Sequence, residues 1–239
     1  MKKRKAGIII LAGLLVIAVI WMSHTEPEVR RASGRALAEH VAGQGMLQLV
    51  EQSVQHPRAA LTFDDGPDSR HTSLLLDGLK ERGIKASFFL LGEKIEQYPE
   101  LVRRMQEEGH LVGNHTYHHV QLDKLNEAKA REEILKTNNL IYETTGVYPQ
   151  YMRPPFGAWK KNLELCVEMI PVFWTIDTLD WKVQNTEKIV RTVQEQIEDG
   201  AIILMHDEYD TSVEAALKVA DGLKEQGYEL VTVDQLIMP

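Results

Sequence analysis

Apolar and polar positions come in alternating blocks along most of this chain. From Arg58 onward, short apolar runs stand at 59–63, 86–91, 110–113, 151–153, 171–176, 201–205 and 228–233. Their length and content predict buried strands. Between them, 72–82, 98–108, 126–145, 160–169, 186–199 and 211–226 carry apolar residues at helical spacing. Gly83, Gly109, Gly146, Gly200 and Gly227 each follow such a stretch and suit a left-handed C-terminal cap. Thr211 and Glu214 have the spacing of a capping box. Repeated strand–helix units predict an α/β fold with a parallel sheet and right-handed crossovers. The stretch is short for a full eight-fold barrel. The expected architecture is therefore a distorted or shortened (β/α) barrel with outer helices, with an open sheet as the alternative.

The start of the chain reads differently. Met1-Lys2-Lys3-Arg4-Lys5 precedes an uncharged stretch, 6–22. An all-round apolar segment behind a basic cluster predicts a signal anchor, with the basic side inside and the remainder exported. Trp21-Met22-Ser23-His24 is a poor cleavage site; if the segment is cleaved, the protein is secreted. Residues 1–22 are thus assigned to a transmembrane segment, 23–57 to a polar stalk with one short helix around 35–51, and 58–239 to the folded domain. The single cysteine, Cys166, has no internal disulfide partner and sits on the apolar side of the helix expected over 160–169.

The chain carries a formal charge of -8. The first 57 residues are net basic, so the acidic excess lies wholly in 58–239. That excess argues against nucleic acid or anionic membrane as a partner of the domain and is compatible with a neutral polymer. No feature points to an obligate protein partner.

The candidate chemistry sits where strands are expected to end, the usual place for catalytic groups in α/β folds. Thr62-Phe63-Asp64-Asp65-Gly66 closes the first strand with two adjacent carboxylates. It is either a hydrated acidic turn or half of a metal and general-base pair. His115 and His119, four apart in Asn114-His115-Thr116-Tyr117-His118-His119, would share one face of a helical turn and could grip one metal. His118 is the competing ligand and ranks below His119. Zinc proteases place a Glu after the first such His; here Thr116 stands there, so a base must come from elsewhere. Arg153-Pro154-Pro155-Phe156-Gly157 is a fixed loop in which an Arg could hold a carboxylate ionised. Asp177-Thr178-Leu179-Asp180-Trp181 and Leu204-Met205-His206-Asp207 end two further strands, and a carboxylate–imidazole pair there would suit an acid.

Taken in order, Thr-Phe-Asp-Asp-Gly, His-Thr-x-x-His, Arg-x-Pro-x-Gly, Asp-x-x-Asp-Trp and Leu-x-His resemble the polysaccharide deacetylase family, carbohydrate esterase family 4. The resemblance runs from about Arg58 to the end of the chain, and the family's distorted barrel agrees with the alternation. It implies metal-dependent hydrolysis of N-acetyl groups from a cell-wall or chitin-like polysaccharide, with N-acetylglucosamine of peptidoglycan favoured by export. It implies Asp64 as general base, Asp65, His115 and His119 as metal ligands, and Arg153 as the group that orients Asp64. His206 would be the general acid, tuned by Asp180. The backbone N–H of Phe156 would polarise the acetyl oxygen, and Trp181 and Leu204 would wall the acetyl pocket. Zn²⁺ is the expected ion, with Co²⁺ or Mn²⁺ compatible with two His and one Asp. Two departures stand out: Phe156 where the family often has Tyr, and Val120 where a Pro often follows the second His. Competing readings are a non-catalytic carbohydrate-binding module, an O-acetyl esterase acting on xylan, and an Fe(II) oxygenase with the same ligand types.

Overall fold

The computed structural model describes residues 56–159 and 167–237. The anchor 1–22, the stalk apart from His56 and Pro57, and residues 160–166 with Cys166 lie outside them. Residues 167–169, the end of the helix expected over 160–169, are not helical.

Among the described residues the strands are β1 (Arg58–Asp64), β2 (Ser87–Leu90), β3 (Leu111–Asn114), β4 (Tyr151–Met152), β5 (Ile170–Pro171), β6 (Ile176–Asp177), β7 (Ala201–His206) and β8 (Glu229–Leu230). The helices are α1 (His71–Glu81), α2 (Gly92–Gln97), α3 (Pro99–Glu107), α4 (Glu127–Thr145), α5 (Asp180–Val183), α6 (Thr186–Gln196), α7 (Asp210–Glu225) and α8 (Val233–Ile237). Every strand pair is parallel. The order across the sheet is β5-β4-β3-β2-β1-β7-β6, with β8 beside the start of β1.

That order decides between barrel and open sheet. β5 and β6 are the two edges, yet only residues 172–175 join them. Five Cα steps reach at most about 18 Å. Seven strands laid flat would hold their edges about 29 Å apart. The sheet therefore curls until its edges approach, which gives a distorted, incompletely closed barrel. The single strand expected over 171–176 is corrected accordingly: its ends pair with opposite edges, and Val172–Thr175 crosses the seam. Val172 N–H still donates to Met152 O on one side, and Thr175 N–H to Ile202 O on the other.

Side-chain alternation separates two cores. Ala59, Leu61 and Phe63 of β1 join Phe88, Leu75, Leu79, Met205 and Val219 in the layer beneath the outer helices. Phe63 and Phe88 stack at 5.3 Å. The opposite parity points into the barrel, where Ala60, Phe89, Tyr151, Val172 and Val233 pack together. Thr62 and Asp64 share the parity of Ala60, so Asp64 ends β1 on the inner side. Val233, the first residue of α8, closes the lower end, and its N–H donates to Ser87 Oγ at 3.0 Å.

Gly83, Gly109, Gly146 and Gly227 stand at or just past helix ends with positive φ, from 65° at Gly83 to 85° at Gly227, whereas Gly200, at 83°, lies beyond the extended cap Ile197 of α6 and caps no helix. The capping box expected at Thr211 and Glu214 does not form. α7 begins one residue earlier, with Tyr209 at its N-cap and no side-chain cap. Thr211 is thereby already inside the helix, and Glu214 accepts from Thr186 Oγ1 at 3.1 Å instead. Working caps occur at Asn126 and Asn185, whose side chains accept from Lys129 N–H and Lys188 N–H.

Candidate active site

The C-terminal ends of β1, β3, β4, β6 and β7 converge on one cleft of about 490 Å³. It is lined by Asp64, Asp65, His115, His119, Phe156, Trp181, Leu204 and His206, so eight of the ten residues proposed from the sequence meet there. The other two, Arg153 and Asp180, stand directly behind Asp64 and His206.

Asp64 and Asp65 part company at the end of β1. Asp64 keeps strand geometry and turns inward, 3% exposed. Asp65 leaves strand geometry with φ 68°, and its carboxylate still reaches the same cleft, Oδ1 lying 3.4 Å from His115 Nε2. Arg153, fully buried, donates from Nη1 to Asp64 Oδ1 at 2.7 Å and to Thr62 Oγ1 at 2.8 Å. Its guanidinium lies 4.4 Å from the Phe89 ring centroid. Oδ1 of Asp64 is thus occupied, and Oδ2 faces the histidines, 3.8 Å from His115 Nε2.

His115 is 2% exposed and its tautomer is fixed. Nδ1 lies 2.6 Å from the carbonyl oxygen of Arg153, which can only accept, so Nδ1 carries the proton. Nε2 then presents a lone pair to Asp65 Oδ1 at 3.4 Å, and His119 Nε2 lies 3.5 Å from the same oxygen. Asp65 Oδ1 is buried and has no hydrogen-bond partner among the described residues. Burial raises the Asp65 pKa, but the neighbouring imidazoles when protonated, His115 foremost, overcome this and hold it well below the carboxylate range, so positive charge at this spot favours the carboxylate. Burial pushes the His119 pKa below its ordinary value against the pull of Asp65. Two imidazole nitrogens and one carboxylate oxygen, all within 4.8 Å of one another, are three acceptors turned toward each other. That donor set fits a divalent cation, and the carbonyl bonded behind His115 is the support such ligands use.

The two histidines do not share a helical turn, contrary to the expectation from spacing. Residues 115–121 form a loop, and Thr116 and His119 take φ of 68° and 55°. Asn114 holds this loop, accepting from Thr116 N–H at 2.6 Å and donating to Ile134 O on α4 at 2.9 Å. His118 points away, 57% exposed at its side chain, and pairs with Glu133 at 2.8 Å.

His206 ends β7 in register with Asp64. Its Nδ1 lies 2.8 Å from Asp180 Oδ1, and its backbone N–H donates to Asp180 Oδ2 at 2.8 Å. Burial lowers the His206 pKa, but the bond and charge of Asp180, with Asp64 and Asp65 behind, raise it to about 9. Nε2 faces the cleft, 3.8 Å from Asp65 Oδ2.

Phe156 has φ 60°, is 67% exposed, and lies 4.6 Å from the His119 ring. Trp181, half exposed, and Leu204, buried, line the same cleft. Asp177, in a motif read from the sequence, also lines the cleft; Trp174, Glu208 and Tyr209 line it too and were missed as site residues. Trp174 sits on the seam crossing that was read as strand interior; Glu208 and Tyr209 follow the His206 motif directly, and adjacency was their available signal. Among the described residues, five of the six non-glycine residues with left-handed backbone, Asp65, Thr116, His119, Phe156 and Leu179, lie in the loops around this cleft. Such geometry costs of order 1–3 kcal/mol per residue and gathers at functional sites.

Comparison with known proteins agrees with this geometry. The sequence profile described as polysaccharide deacetylase matches residues 51–172. The peptidoglycan-N-acetylglucosamine deacetylase PgdA of Listeria monocytogenes is 42% identical over 187 residues, covering 78% of this chain and 40% of that protein. The peptidoglycan-N-acetylmuramic acid deacetylase PdaC of Bacillus subtilis is 42% identical over 177 residues, covering 74% and 38%. The chain thus spans about two fifths of the length of these relatives. The solved structure of peptidoglycan deacetylase PdaC from Bacillus subtilis superimposes with a TM-score of 0.74 at 41% identity, over 77% of this chain and 91% of that one.

Proposed function

This chain belongs to the polysaccharide deacetylase family, and we propose that it hydrolyses N-acetyl groups of a cell-wall polysaccharide, with N-acetylglucosamine of peptidoglycan as first substrate. The observation that carries the reading is the placement of a carboxylate, Asp64, and an imidazole, His206, beside one three-acceptor cluster. Each has its second heteroatom fixed by a buried partner.

Asp65, His115 and His119 would hold the metal, which when bound supplies Lewis-acid polarisation of the acetyl carbonyl and acidifies a water. Asp64 takes the proton of the attacking water on Oδ2, because Arg153 occupies Oδ1. The same guanidinium keeps that carboxylate in one orientation. His206 delivers a proton from Nε2 to the departing amine nitrogen, while Asp180 fixes Nδ1 and the ring plane. The Phe156 N–H supports the acetyl oxygen, and Trp181 and Leu204 enclose the methyl group. Two His and one Asp favour Zn²⁺, with Co²⁺ and Mn²⁺ next. A carbohydrate-binding module would need neither the buried Asp64–Arg153 pair nor the Asp180–His206 pair.

The domain works outside the cytoplasm, tethered by 1–22. The support is the basic cluster ahead of an apolar stretch, which lies outside the described residues. Among the described residues no helix is long and apolar enough to cross a membrane. External protease on intact spheroplasts should remove the domain; full protection overturns the tether.

Acetate release by the full-length protein, with and without chelator, tests the activity. The panel is peptidoglycan, N-acetylglucosamine oligomers, N-acetylmuramic acid-containing glycans and acetylated xylan. Release from the first two, abolished by chelator and restored by metal, is expected. Release from xylan alone would replace the amide reading with an ester one.

A further inference from the structure

The loop that carries His115 and His119 is held from outside by one side chain of α4. Glu133 Oε2 accepts from the backbone N–H of Tyr117 at 3.0 Å and from that of His118 at 2.9 Å. Its Oε1 lies 2.8 Å from His118 Nδ1. The Glu133 side chain is 15% exposed. Residues 115–121 are neither helix nor strand, so this carboxylate supplies the partner that regular structure would otherwise give those two N–H groups. The helix beneath is itself fixed. Ala130 and Ile134 are fully buried, and Asn114 Nδ2 donates to Ile134 O at 2.9 Å and to Asn138 Oδ1 at 2.7 Å.

The loop needs such a hold. Thr116 and His119 have left-handed backbone, which costs of order 1–3 kcal/mol per residue and persists only where the surroundings impose it. Tyr117 and His118 stand between them, and these are the two residues that Glu133 binds. Other ties reach the earlier part of the loop. Asn114 accepts from Thr116 N–H, and the N–H groups of Gly92 and Glu93 donate to the carbonyls of Thr116 and Tyr117. Val120 N–H donates to Thr116 Oγ1 at 3.3 Å. Among the described residues Glu133 alone hydrogen-bonds His118, the neighbour of His119. The consequence falls on His119. His115 has the Arg153 carbonyl behind its Nδ1. No comparable bond backs the His119 ring among the described residues; it meets Asp65, His115 and Phe156. Its position is therefore set through the backbone.

We infer that Glu133 is a positioning residue for the metal centre, holding the 116–119 backbone so that His119 is presented to Asp65 and His115. It acts by where its oxygens stand, not by ligation and not by its charge. The inference rests on the ligand set proposed above, Asp65, His115 and His119.

The test is the zinc affinity of the full-length protein, freed of metal and titrated in competition with a chromophoric chelator. Glu133→Asp keeps the charge and withdraws the oxygens by one methylene. Glu133→Gln keeps an oxygen at the same reach and removes the charge. Glu133→Asp and Glu133→Ala should weaken zinc binding about 10–100-fold, the scale for groups that support metal ligands, while Glu133→Gln stays near the parent. His118→Ala should also stay near the parent, because its backbone N–H still donates to Glu133. The visible absorption of the Co²⁺-loaded protein should change shape in Glu133→Asp and not in Glu133→Gln or His118→Ala. A role confined to stability would lower the melting temperature of the metal-free variants and leave affinity and spectrum as in the parent. Should Glu133→Ala fail to fold, the comparison of Asp with Gln still decides. Parental affinity in Glu133→Asp, or a greater loss in Glu133→Gln than in Glu133→Asp, overturns the role and leaves the metal site standing. A parent that binds no zinc overturns the ligand assignment and this role with it.

Discussion

Asp180 grips His206 twice, with Oδ1 at 2.8 Å from the ring Nδ1 and Oδ2 accepting the backbone N–H at 2.8 Å. One carboxylate thus fixes both the ring plane and the strand end that carries it. Asp180 is fully buried, so the imidazolium it supports has little competition from water. A general acid must be protonated to act. Activity should persist below the His206 pKa and fall as pH rises through it, near 9. Asp180→Asn removes the main group that raises this pKa, so the basic limb of kcat/KM should move to lower pH. An unmoved limb in that variant would show that His206 is not the acid or that Asp180 does not tune it.

The ligand assignment separates neighbouring histidines. Asp65→Asn, His115→Ala and His119→Ala should each lose metal, because each removes one of three donors that lie within 4.8 Å of one another. His118→Ala should retain it, since that ring is turned to Glu133 on the outside. Metal content of the purified variants decides this. Retention in His119→Ala with loss in His118→Ala would reverse the assignment.

Arg153 and Asp64 form a buried pair, with side chains 0% and 5% exposed. Asp64→Asn keeps the shape and a hydrogen-bonding oxygen, so it should bind metal while losing at least about a hundredfold in turnover. Arg153→Ala strands a carboxylate in the barrel and should cost about 3–5 kcal/mol in stability. Turnover in Asp64→Asn within a few-fold of the parent would remove Asp64 from the base role.

The sequence carried the strand ends well because buried parallel strands leave continuous apolar runs, and the chemistry follows those runs directly. Asp64, Asp65, Asp180 and His206 are all placed by this rule. It failed where tertiary closure overrides local pattern. The apolar run through Val172 and Ile176 has strand composition, but the chain must cross the barrel seam there, so it pairs at both ends and not between. The convergence of His115 and His119 was right for the wrong local reason. Their spacing suits a helix, yet Asn114 and two left-handed residues bring the rings together in a loop. Arg153 was legible as a candidate but not its depth, because burial of a guanidinium depends on Thr62, Asp64 and Phe89 arriving from other strands. The short helices at 92–97, 180–183 and 233–237 have too few turns to show a period.

Gly66 is where the Asp64-Asp65 turn presses against the fully buried Asp207. A Cβ at Gly66 would stand 2.7 Å from Asp207 Oδ1 and 3.0 Å from Oδ2. Asp207 cannot swing away into water: it is 0% exposed, and its Oδ2 accepts the hydroxyl of Thr72. The turn must move instead, and Asp65 moves with it. Gly66→Ala should therefore cost about 1–3 kcal/mol, the usual range for overpacking. For a domain of this size that lowers Tm by several degrees, at about 2–4 °C per kcal/mol. It should also weaken metal binding, because Asp65 shifts relative to His115 and His119. The cause can be isolated by a double-mutant cycle. In an Asp207→Ala background the carboxylate is gone, so Gly66→Ala should cost distinctly less than in the parent. Thermal melts of the four proteins measure the coupling. An equal cost in both backgrounds would show that contact with Asp207 is not what requires glycine at this turn.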